Sequence, residues 1–179
     1  MISMNALSAA NSAIAIAARY ACVRRQFNTP PNEIENLLIE YPLTKRRIMP
    51  LMSQAIVYNL GNLSIGFIWD KNHEKILDPK NTIMQDLHAI SSIIKPKSGW
   101  FATEAIKESR QLLGGHGYSY FSKLAVLYND NDINNTWEGD NNVLYQQATK
   151  YVLDNAQKAM KGKKITSPYL TFLTDVNPF

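Results

Sequence analysis

Residues 111–142 read QLLGGHGYSYFSKLAVLYNDNDINNTWEGDNN and contain two glycine-bearing polar turns, GGHGY at 114–118 and WEGDNN at 137–142. The residues between the turns predict a poorly helical connection. The segments outside the stretch have the apolar spacing of long helices. We therefore expect a helical protein whose functional residues are organised around these two turns.

The second turn places a carboxylate just ahead of a helix. Glu138 precedes Gly139 and the polar run 140–142, which opens a strongly helical segment. A glycine lets another molecule approach the backbone closely, and the polar residues after it can cap the helix or reach a ligand. Spacing alone leaves two interpretations open, a helix N-cap beside a solvated glutamate, which is the commoner, or a catalytic base. GGHGY is likewise more often a tight turn after a helix than a cofactor loop.

Composition favours one globular, soluble domain. The chain has 179 residues, of which 45% are hydrophobic and 19% charged, enough apolar material for a core and too little charge for disorder. The net charge of +4 permits an anionic partner, but the basic runs at 45–47 and 161–164 are short. No nucleic-acid-binding motif accompanies them, so we expect no nucleic-acid partner.

Cysteine and histidine usage indicates neither disulfides nor a metal site. Cys22 is the single cysteine and lies in an apolar run, so we expect it to be a small buried core residue. His73 and His88 have no partners at metal-ligand spacing. His116 lies in GGHGY, where it is placed to orient the turn.

Neither terminus carries a recognisable targeting signal. The apolar run to Ala18 lacks a basic leader, and Asn5, Asn11 and three serines interrupt it well short of a transmembrane length. We therefore expect no membrane insertion. The C-terminal DVNPF is not a peroxisomal SKL-type signal.

Hydrophobic periodicity predicts about four long helices. The first covers 4–27, is nearly apolar all round and is expected to be buried on more than one side. The second covers 43–67, with Pro50 expected to kink it or reset its start and with the basic run 45–47 expected to pair with carboxylates elsewhere. Residues 70–81 are expected to form a surface loop.

The third helix begins at Thr82, where the spacing of TIMQ predicts a capping box, and ends at Gly114. Pro96 predicts a kink or short break within 95–99. The last helix starts at 139 or 140 and ends near 162, followed by a loop-like tail. No convincing strand occurs, so the fold class is all-α, an antiparallel helical bundle forming a single domain over 1–179.

Four blocks of sequence resemble one enzyme family. RYACVRRQF at 19–27, LIEYPLTKRRIMPLM at 38–52, QLLGGHGY at 111–118 and NDNDINNTWEGDNNVLYQQ at 129–147 occur in the order seen in acyl-CoA oxidases. The likeness covers 14–152 and is nearest to the branched-chain (pristanoyl) type, within the acyl-CoA dehydrogenase superfamily. It is consistent with the all-α C-terminal domain of that fold.

The resemblance implies a base and a reaction. Glu138 matches the glutamate that removes the α-proton of an acyl thioester while FAD takes the β-hydride. The product is a trans-2-enoyl-CoA, and electrons passed to O2 give hydrogen peroxide. Trp137, which replaces the usual Tyr or Phe, and Gly139 would lie beside the fatty acyl-CoA substrate.

The resemblance also implies a set of FAD-binding residues. Arg24 and Phe27 match the Arg-x-x-Phe that reaches across a homodimer interface to the diphosphate of the partner's FAD, a contact that suits guanidinium geometry. Gln111 stands where oxidases often have Glu. The full set expected near the cofactor is Arg24, Phe27, Gln111, Gly114, Gly115, Asp140 and Asn142.

Members of this family also have an N-terminal helical domain, a flavin-binding middle domain and a second C-terminal helical domain. None of these is recognisable in the chain. We therefore expect a partial acyl-CoA oxidase, peroxisomal by resemblance, that is inactive when isolated. The alternative is a non-catalytic helical dimerisation module that keeps only the oxidase interaction surface.

Overall fold

The computed structural model describes residues 2–27, 34–75 and 81–175, and these residues contain seven α-helices. They are α1 (Ile2–Val23), α2 (Pro42–Asn72), α3 (Ile83–Leu112), α4 (Gly115–Tyr118), α5 (Leu124–Asp132), α6 (Asn141–Met160) and α7 (Phe172–Asp175). Within the described ranges the β pairing is a single antiparallel bridge between Arg25 and Leu37.

The four long helices run alternately up and down. Ser3 at the start of α1 donates to Asn62 late in α2, and Arg47 early in α2 pairs with Glu108 late in α3. The start of α3 meets the middle of α6, where the Tyr151 hydroxyl donates to Asp86 at 2.6 Å. The predicted all-α antiparallel bundle is confirmed.

Helix α3 is the central helix of the bundle and packs against α1, α2, α5 and α6. Small residues line its contact with α1, so the two helices approach closely. The residues buried there are Ala6, Leu7, Ala10, Ala13, Ala17, Phe101, Ala102, Ala105 and Ile106. Burial of a side chain as large as Leu7 or Ile106 stabilises the fold by about 1.5–3 kcal/mol.

Of the two outcomes predicted at Pro96, the short break does not occur, because α3 continues through the proline, and the kink stays a prediction. Lys95, Pro96, Ser98 and Gly99 are all buried, so contacts on several sides hold the helix together where the missing proline N–H would weaken it. Helix α2 similarly continues through Pro50. It also runs to Asn72, past the start of the predicted loop at 70, while 76–80 lie outside the described residues.

Other local predictions also fail for reasons of packing. Thr82 makes no side-chain cap bond, and Asn81 Oδ1 instead accepts from the backbone N–H of Ile83 at 2.9 Å. The connection between the two turns contains α5, because the fully buried Leu124 anchors it to the core. Cys22 is exposed, not buried, since α1 buries a single stripe that ends at Ala21.

Helix α1 is long and apolar enough, by length and composition alone, to cross a membrane, with a mean hydropathy of 1.3. The serines and asparagines therefore do not interrupt it as the sequence predicted. The finding is weak evidence for a membrane span, because the core helix of a packed bundle meets the same criterion. The buried stripe of α1 faces α3 and α2 in this way.

The tail beyond α6 is attached to the bundle by a buried carboxylate. Asp86 at the start of α3 is 2% exposed and accepts hydrogen bonds from the Tyr151 hydroxyl and from Ser167 Oγ. Ile165 and Leu170 are buried on either side of Ser167. Burial and the hydrogen bond to Asp86 raise the pKa of Tyr151 to about 12.

Helix α2 presents an apolar face that nothing in the described part of the chain covers. Six large side chains, between 46% and 72% exposed, recur every three or four residues and so share one face. We call this face the α2 stripe, and it consists of Met49, Met52, Ile56, Leu60, Leu63 and Phe67. Monomeric proteins rarely leave so long an apolar patch in water.

We predict that the 179-residue chain self-associates through the α2 stripe. At about 25 cal/mol per Å², each 100 Å² that is buried again favours association by roughly 2.5 kcal/mol before association costs. Light scattering on dilute protein should show dimers or larger species, and Ile56→Glu with Leu60→Glu should shift them to monomer. Leu153→Glu, on the exposed face of α6, is the matched control. A monomer at all concentrations in the unmodified chain would contradict the prediction.

We predict that Tyr151→Phe lowers the free energy of unfolding at pH 7 by about 1–3 kcal/mol, because buried Asp86 loses one of its two donors. The folded pKa of about 12 lies above the ordinary value of 10.0, so the contribution of the phenolic proton is complete below pH 10. It is lost as the pH rises through 12, and the difference between the two proteins should narrow over that window.

Urea unfolding at pH 7 and at several alkaline values measures this difference. Tyr120→Phe is the control, because Tyr120 is largely exposed. A difference between Tyr151→Phe and the unmodified chain that stays constant across the alkaline window would show that Tyr151 does not carry the titration.

Candidate active site and cofactor cleft

Five of the predicted site residues line two separate clefts along α3, one beside the middle of the helix and one at its C-terminal end. Lys95 lines the first cleft with Glu138, and Gln111 lines the second with Arg24. Gln111 lies 16 positions after Lys95, which corresponds to about 24 Å along the helix at about 1.5 Å per residue. The two turns of 111–142 are therefore separate sites on one rigid element.

The turn that carries Glu138 has an unusual backbone. Glu138 has a φ of 54° and Gly139 a φ of 110°, both in the left-handed range. Glycine adopts such angles freely, whereas for a residue with a side chain they cost about 1–2 kcal/mol. The Glu138 side chain is exposed. Contacts elsewhere in the fold must therefore hold this turn in shape.

A buried lysine supplies the main contact. Lys95 on α3 is 8% exposed, and its Nζ donates to the carbonyl of Gly139 at 2.7 Å and to Asn141 Oδ1 at 2.8 Å. Burial lowers the pKa of Lys95, and the nearby carboxylates of Asp140 and Glu138 oppose that shift. Lys95 thus links α3 to Gly139 and to Asn141, the two residues that flank Asp140.

An amide network continues beneath the turn. Asn141 donates to Asn135 at 3.0 Å, and Asn135 and Asn131 each donate to Thr103 Oγ1 at 3.2 Å. A Cβ at Gly99 would lie 2.6 Å from Asn135 Oδ1, so that glycine allows the turn to approach α3. Sequence reasoning missed Lys95 and this network, although the cluster of asparagines over 129–142 signalled it.

Three residues predicted to contact ligands have other partners in the turn. The carboxylate of Asp140 caps α6, accepting from the backbone N–H groups of Asn142 at 2.8 Å and Val143 at 3.3 Å. The predicted helix start at 139 or 140 is thus close to the observed start at Asn141. Trp137 donates its indole N–H to Asn134 Oδ1 at 3.0 Å.

The first cleft has a volume of about 920 Å³ and combines a carboxylate with apolar walls. Glu138 lies on its lining together with buried Lys95. The apolar lining residues are Ile2, Met4, Ile65, Trp69, Ile94 and Leu144. Trp137 and Gly139 flank Glu138 in the chain but are not among the described residues that line this cleft. A carboxylate beside apolar walls suits proton removal from a largely apolar substrate.

The second cleft, of about 740 Å³, brings together Arg24, Gln111, Gly114 and Gly115, which were predicted to contact FAD. Phe27 does not line it, although its neighbour Gln26 does. Phe27 is exposed and has a φ of 58°.

The glycines of GGHGY have two different roles. Gly114 has a φ of 58°, and a Cβ added at Gly114 or at Gly115 would meet no atom of a described residue within 4 Å, so both leave space at the cleft. A Cβ at Gly117 would instead lie 2.0 Å from the Arg110 carbonyl, so that glycine allows α4 to pack on the end of α3. The ring of His116 contacts Tyr20 at a centroid distance of 5.7 Å.

Two arginines, Arg24 and Arg47, line the second cleft. Arg47 Nε forms an ion pair with Glu108, and its Nη2 donates to Gln111 Oε1 at 3.4 Å. The predicted pairing of the 45–47 run with a carboxylate is therefore confirmed for Arg47. No hydrogen bond joins the Arg24 guanidinium to another residue in the described part of the chain. The described residues contain no group of three side chains suited to holding a metal ion.

Comparisons with known proteins show the family to which the chain belongs. The family model described as acyl-CoA oxidase, C-alpha1 domain, matches residues 1–153. Acyl-coenzyme A oxidase 2 of Yarrowia lipolytica is 34% identical over 85% of this chain and 23% of its own length. Human peroxisomal acyl-coenzyme A oxidase 3 is 38% identical over 79% of this chain and 21% of its own length.

Solved structures agree as well. Acyl-CoA oxidase-1 of Caenorhabditis elegans, solved in complex with FAD and ATP, matches with a TM-score of 0.87 and 27% identity over 95% of this chain and 26% of its own. Arabidopsis thaliana acyl-CoA oxidase 1 gives the same TM-score and identity over 97% of this chain and 26% of its own. The chain belongs to the acyl-CoA oxidase family and corresponds to its C-alpha1 domain. It spans about a quarter of the length of these relatives.

Proposed function

We propose that this chain is the part of an FAD-dependent acyl-CoA oxidase that supplies the catalytic base, Glu138. The observation that carries the proposal is the position of this carboxylate on a constrained turn, on the lining of an apolar cleft of about 920 Å³. Family membership supports the same function over that of a non-catalytic helical module.

The proposed reaction begins with proton transfer from carbon to a carboxylate oxygen of Glu138. A fatty acyl-CoA whose chain lies along Ile65, Trp69 and Ile94 presents its α-carbon to Glu138, which takes the proton as general base. Bound FAD supplies the hydride acceptor for the β-carbon and the route of two electrons to O2. The balance is acyl-CoA plus O2 giving trans-2-enoyl-CoA plus H2O2.

The backbone of the same turn contributes to stabilising charge. As the α-proton leaves, negative charge develops on the thioester carbonyl oxygen, and a fixed N–H donor there lowers the barrier. The backbone N–H of Glu138 is the donor proposed for this role, with Trp137 and Gly139 bordering the reacting carbons. A turn held by Lys95 and the asparagine network is suited to keeping such a donor in place.

The second cleft fits the proposed FAD. Gly114 and Gly115 leave room for a ligand, and Arg24 has a guanidinium available for a diphosphate. In a homodimer we propose that Arg24, Phe27 and Gln111 serve the FAD of the partner subunit. We propose that Asp140 and Asn142 face the cofactor near Glu138, with Asp140 also capping α6.

A peroxisomal location is proposed on the same basis. The human relative carries the word peroxisomal in its name. Hydrogen peroxide as a product fits a compartment that can dispose of it.

We predict that Glu138→Gln abolishes activity in the full-length product of the gene that encodes this chain. The amide has nearly the same shape but cannot accept the proton, so kcat should fall by at least about 10³-fold while flavin and acyl-CoA binding persist. Glu104→Gln, at an exposed position on α3, is the matched control. Peroxide release during oxidation of a long-chain acyl-CoA is the measurement. Turnover that survives in Glu138→Gln would remove this residue from the base role.

We predict that the 179-residue chain alone binds FAD weakly or not at all. Arg24, Gln111, Gly114 and Gly115 line one side of an open cleft, which is a small part of the surface that a flavin dinucleotide needs. Titration of FAD into the purified chain, followed by flavin absorbance and fluorescence, measures the affinity. Flavin that co-purifies at one equivalent per chain would show that the cleft is sufficient.

A further inference from the structure

Lys95 is a buried cation that lines the same cleft as the candidate base, and it exchanges no proton or electron in the proposed reaction. Two of its three ammonium N–H groups are used, one by the carbonyl of Gly139 at 2.7 Å and one by Asn141 Oδ1 at 2.8 Å. Burying a cation costs free energy unless its hydrogen bonds are met. The two hydrogen bonds therefore offset part of the free-energy cost of burying Lys95.

The bonds of Lys95 fall where they can fix the direction of the Glu138 side chain. The acceptor at Gly139 belongs to the peptide group that immediately follows the Glu-Gly pair. Glu138 and Gly139 have φ values of 54° and 110°, which an isolated turn with this sequence would not hold. A rotation of either residue would swing the carboxylate away from the cleft that it shares with Lys95.

The second hydrogen bond of Lys95 joins the turn to a network of side chains that is anchored on α3. Asn141 is the first residue of α6, is 1% exposed, and donates to Asn135, which in turn donates to Thr103 on α3. Lys95 and Thr103 thus hold the turn from two points on the same helix. Ile94, which forms part of the apolar wall of the cleft, directly precedes Lys95. The helix that supports the Glu138 turn therefore also forms part of the cleft wall.

We infer that Lys95 is a positioning residue for the reaction, which sets the backbone of the Glu138 turn and thereby aims the base at the substrate's α-carbon. The inference rests on the proposed function of Glu138. It differs from a purely structural role, in which Lys95 would only join α3 to α6 and its loss would lower stability without changing the chemical step.

The first test uses the 179-residue chain and needs no flavin. A glutamate-specific endoprotease cuts after Glu138 only when the turn opens, and mass spectrometry identifies fragments 1–138 and 139–179. Lys95→Met should speed this cut at least about 10-fold relative to the unmodified chain, and Lys95→Arg should restore much of the protection. Lys97→Met is the control, because Lys97 is exposed two residues away and lies over the Tyr145 ring.

The second test measures turnover in the full-length gene product. Lys95→Met should lower kcat by about 10²-fold, the effect of misplacing a reacting group by about 1 Å, with KM for acyl-CoA within about 3-fold. Lys95→Arg should recover part of kcat, and Lys97→Met should behave as the unmodified protein. If Lys95→Met does not fold, as judged by circular dichroism, Lys95→Gln replaces it in both tests with smaller expected changes.

The outcomes separate the inference from the function on which it rests. Unchanged cleavage after Glu138 in Lys95→Met would show that Lys95 does not hold the turn, whatever the activity. Faster cleavage with unchanged kcat, in a protein that Glu138→Gln inactivates, would leave Lys95 a structural residue. Full activity in Glu138→Gln would overturn the base role first, and the positioning role with it.

Discussion

Close packing along α3 is the constraint on which the rest of the structure depends. Small residues of α3 and α1 meet in the core, with Ala102 and Ala105 buried against Ala6 and Ala10. The two turns approach the same helix where glycines remove a side chain, Gly99 facing Asn135 and Gly117 facing the Arg110 carbonyl. Each approach leaves no room for a Cβ without a shift in the neighbour. The helix therefore fixes the positions of both candidate sites as well as the core.

This arrangement explains how one bundle can carry two different kinds of site. The middle of α3, near Lys95, meets a polar network and an apolar cleft, which suits acid–base chemistry on a lipid-like substrate. The C-terminal end, near Gln111, lies beside arginines and open glycines, which suit an anionic cofactor group. About 24 Å of helix separates them.

The same structure explains why the domain carries apolar surface that its own helices leave in water. Helix α2 places apolar side chains on both its inner and outer faces, burying Ile48, Leu51 and Ala55 while leaving the α2 stripe exposed. The relatives are about four times longer, so in them the corresponding surface has additional protein available to cover it. The segment that follows α6, in contrast, is packed onto the bundle. Its Ser167 is bonded to buried Asp86, so the segment after α6 belongs to the bundle.

The sequence by itself determined the class of the fold, the long helices and the two turns. Helical spacing depends on residues three and four apart, and the turn chemistry of GGHGY and WEGDNN is local, so both can be read without a structure. The motif residues also predicted, through their resemblance to the family, that Glu138 and the group around Arg24 form sites, and those roles stay predictions. The Asp140 cap on α6 followed from the same local pattern.

Only the tertiary structure decided what holds these residues in place. Lys95 contacts a carbonyl 44 residues away and Asp86 a hydroxyl 65 residues away, and no spacing rule links such positions. Helix α3 continues through Pro96 and Cys22 faces solvent because packing against neighbouring helices outweighs local preference. Packing also separates the two clefts, because the two turns contact α3 at different points along its length, and the sequence of the turns does not show where on α3 each one lies.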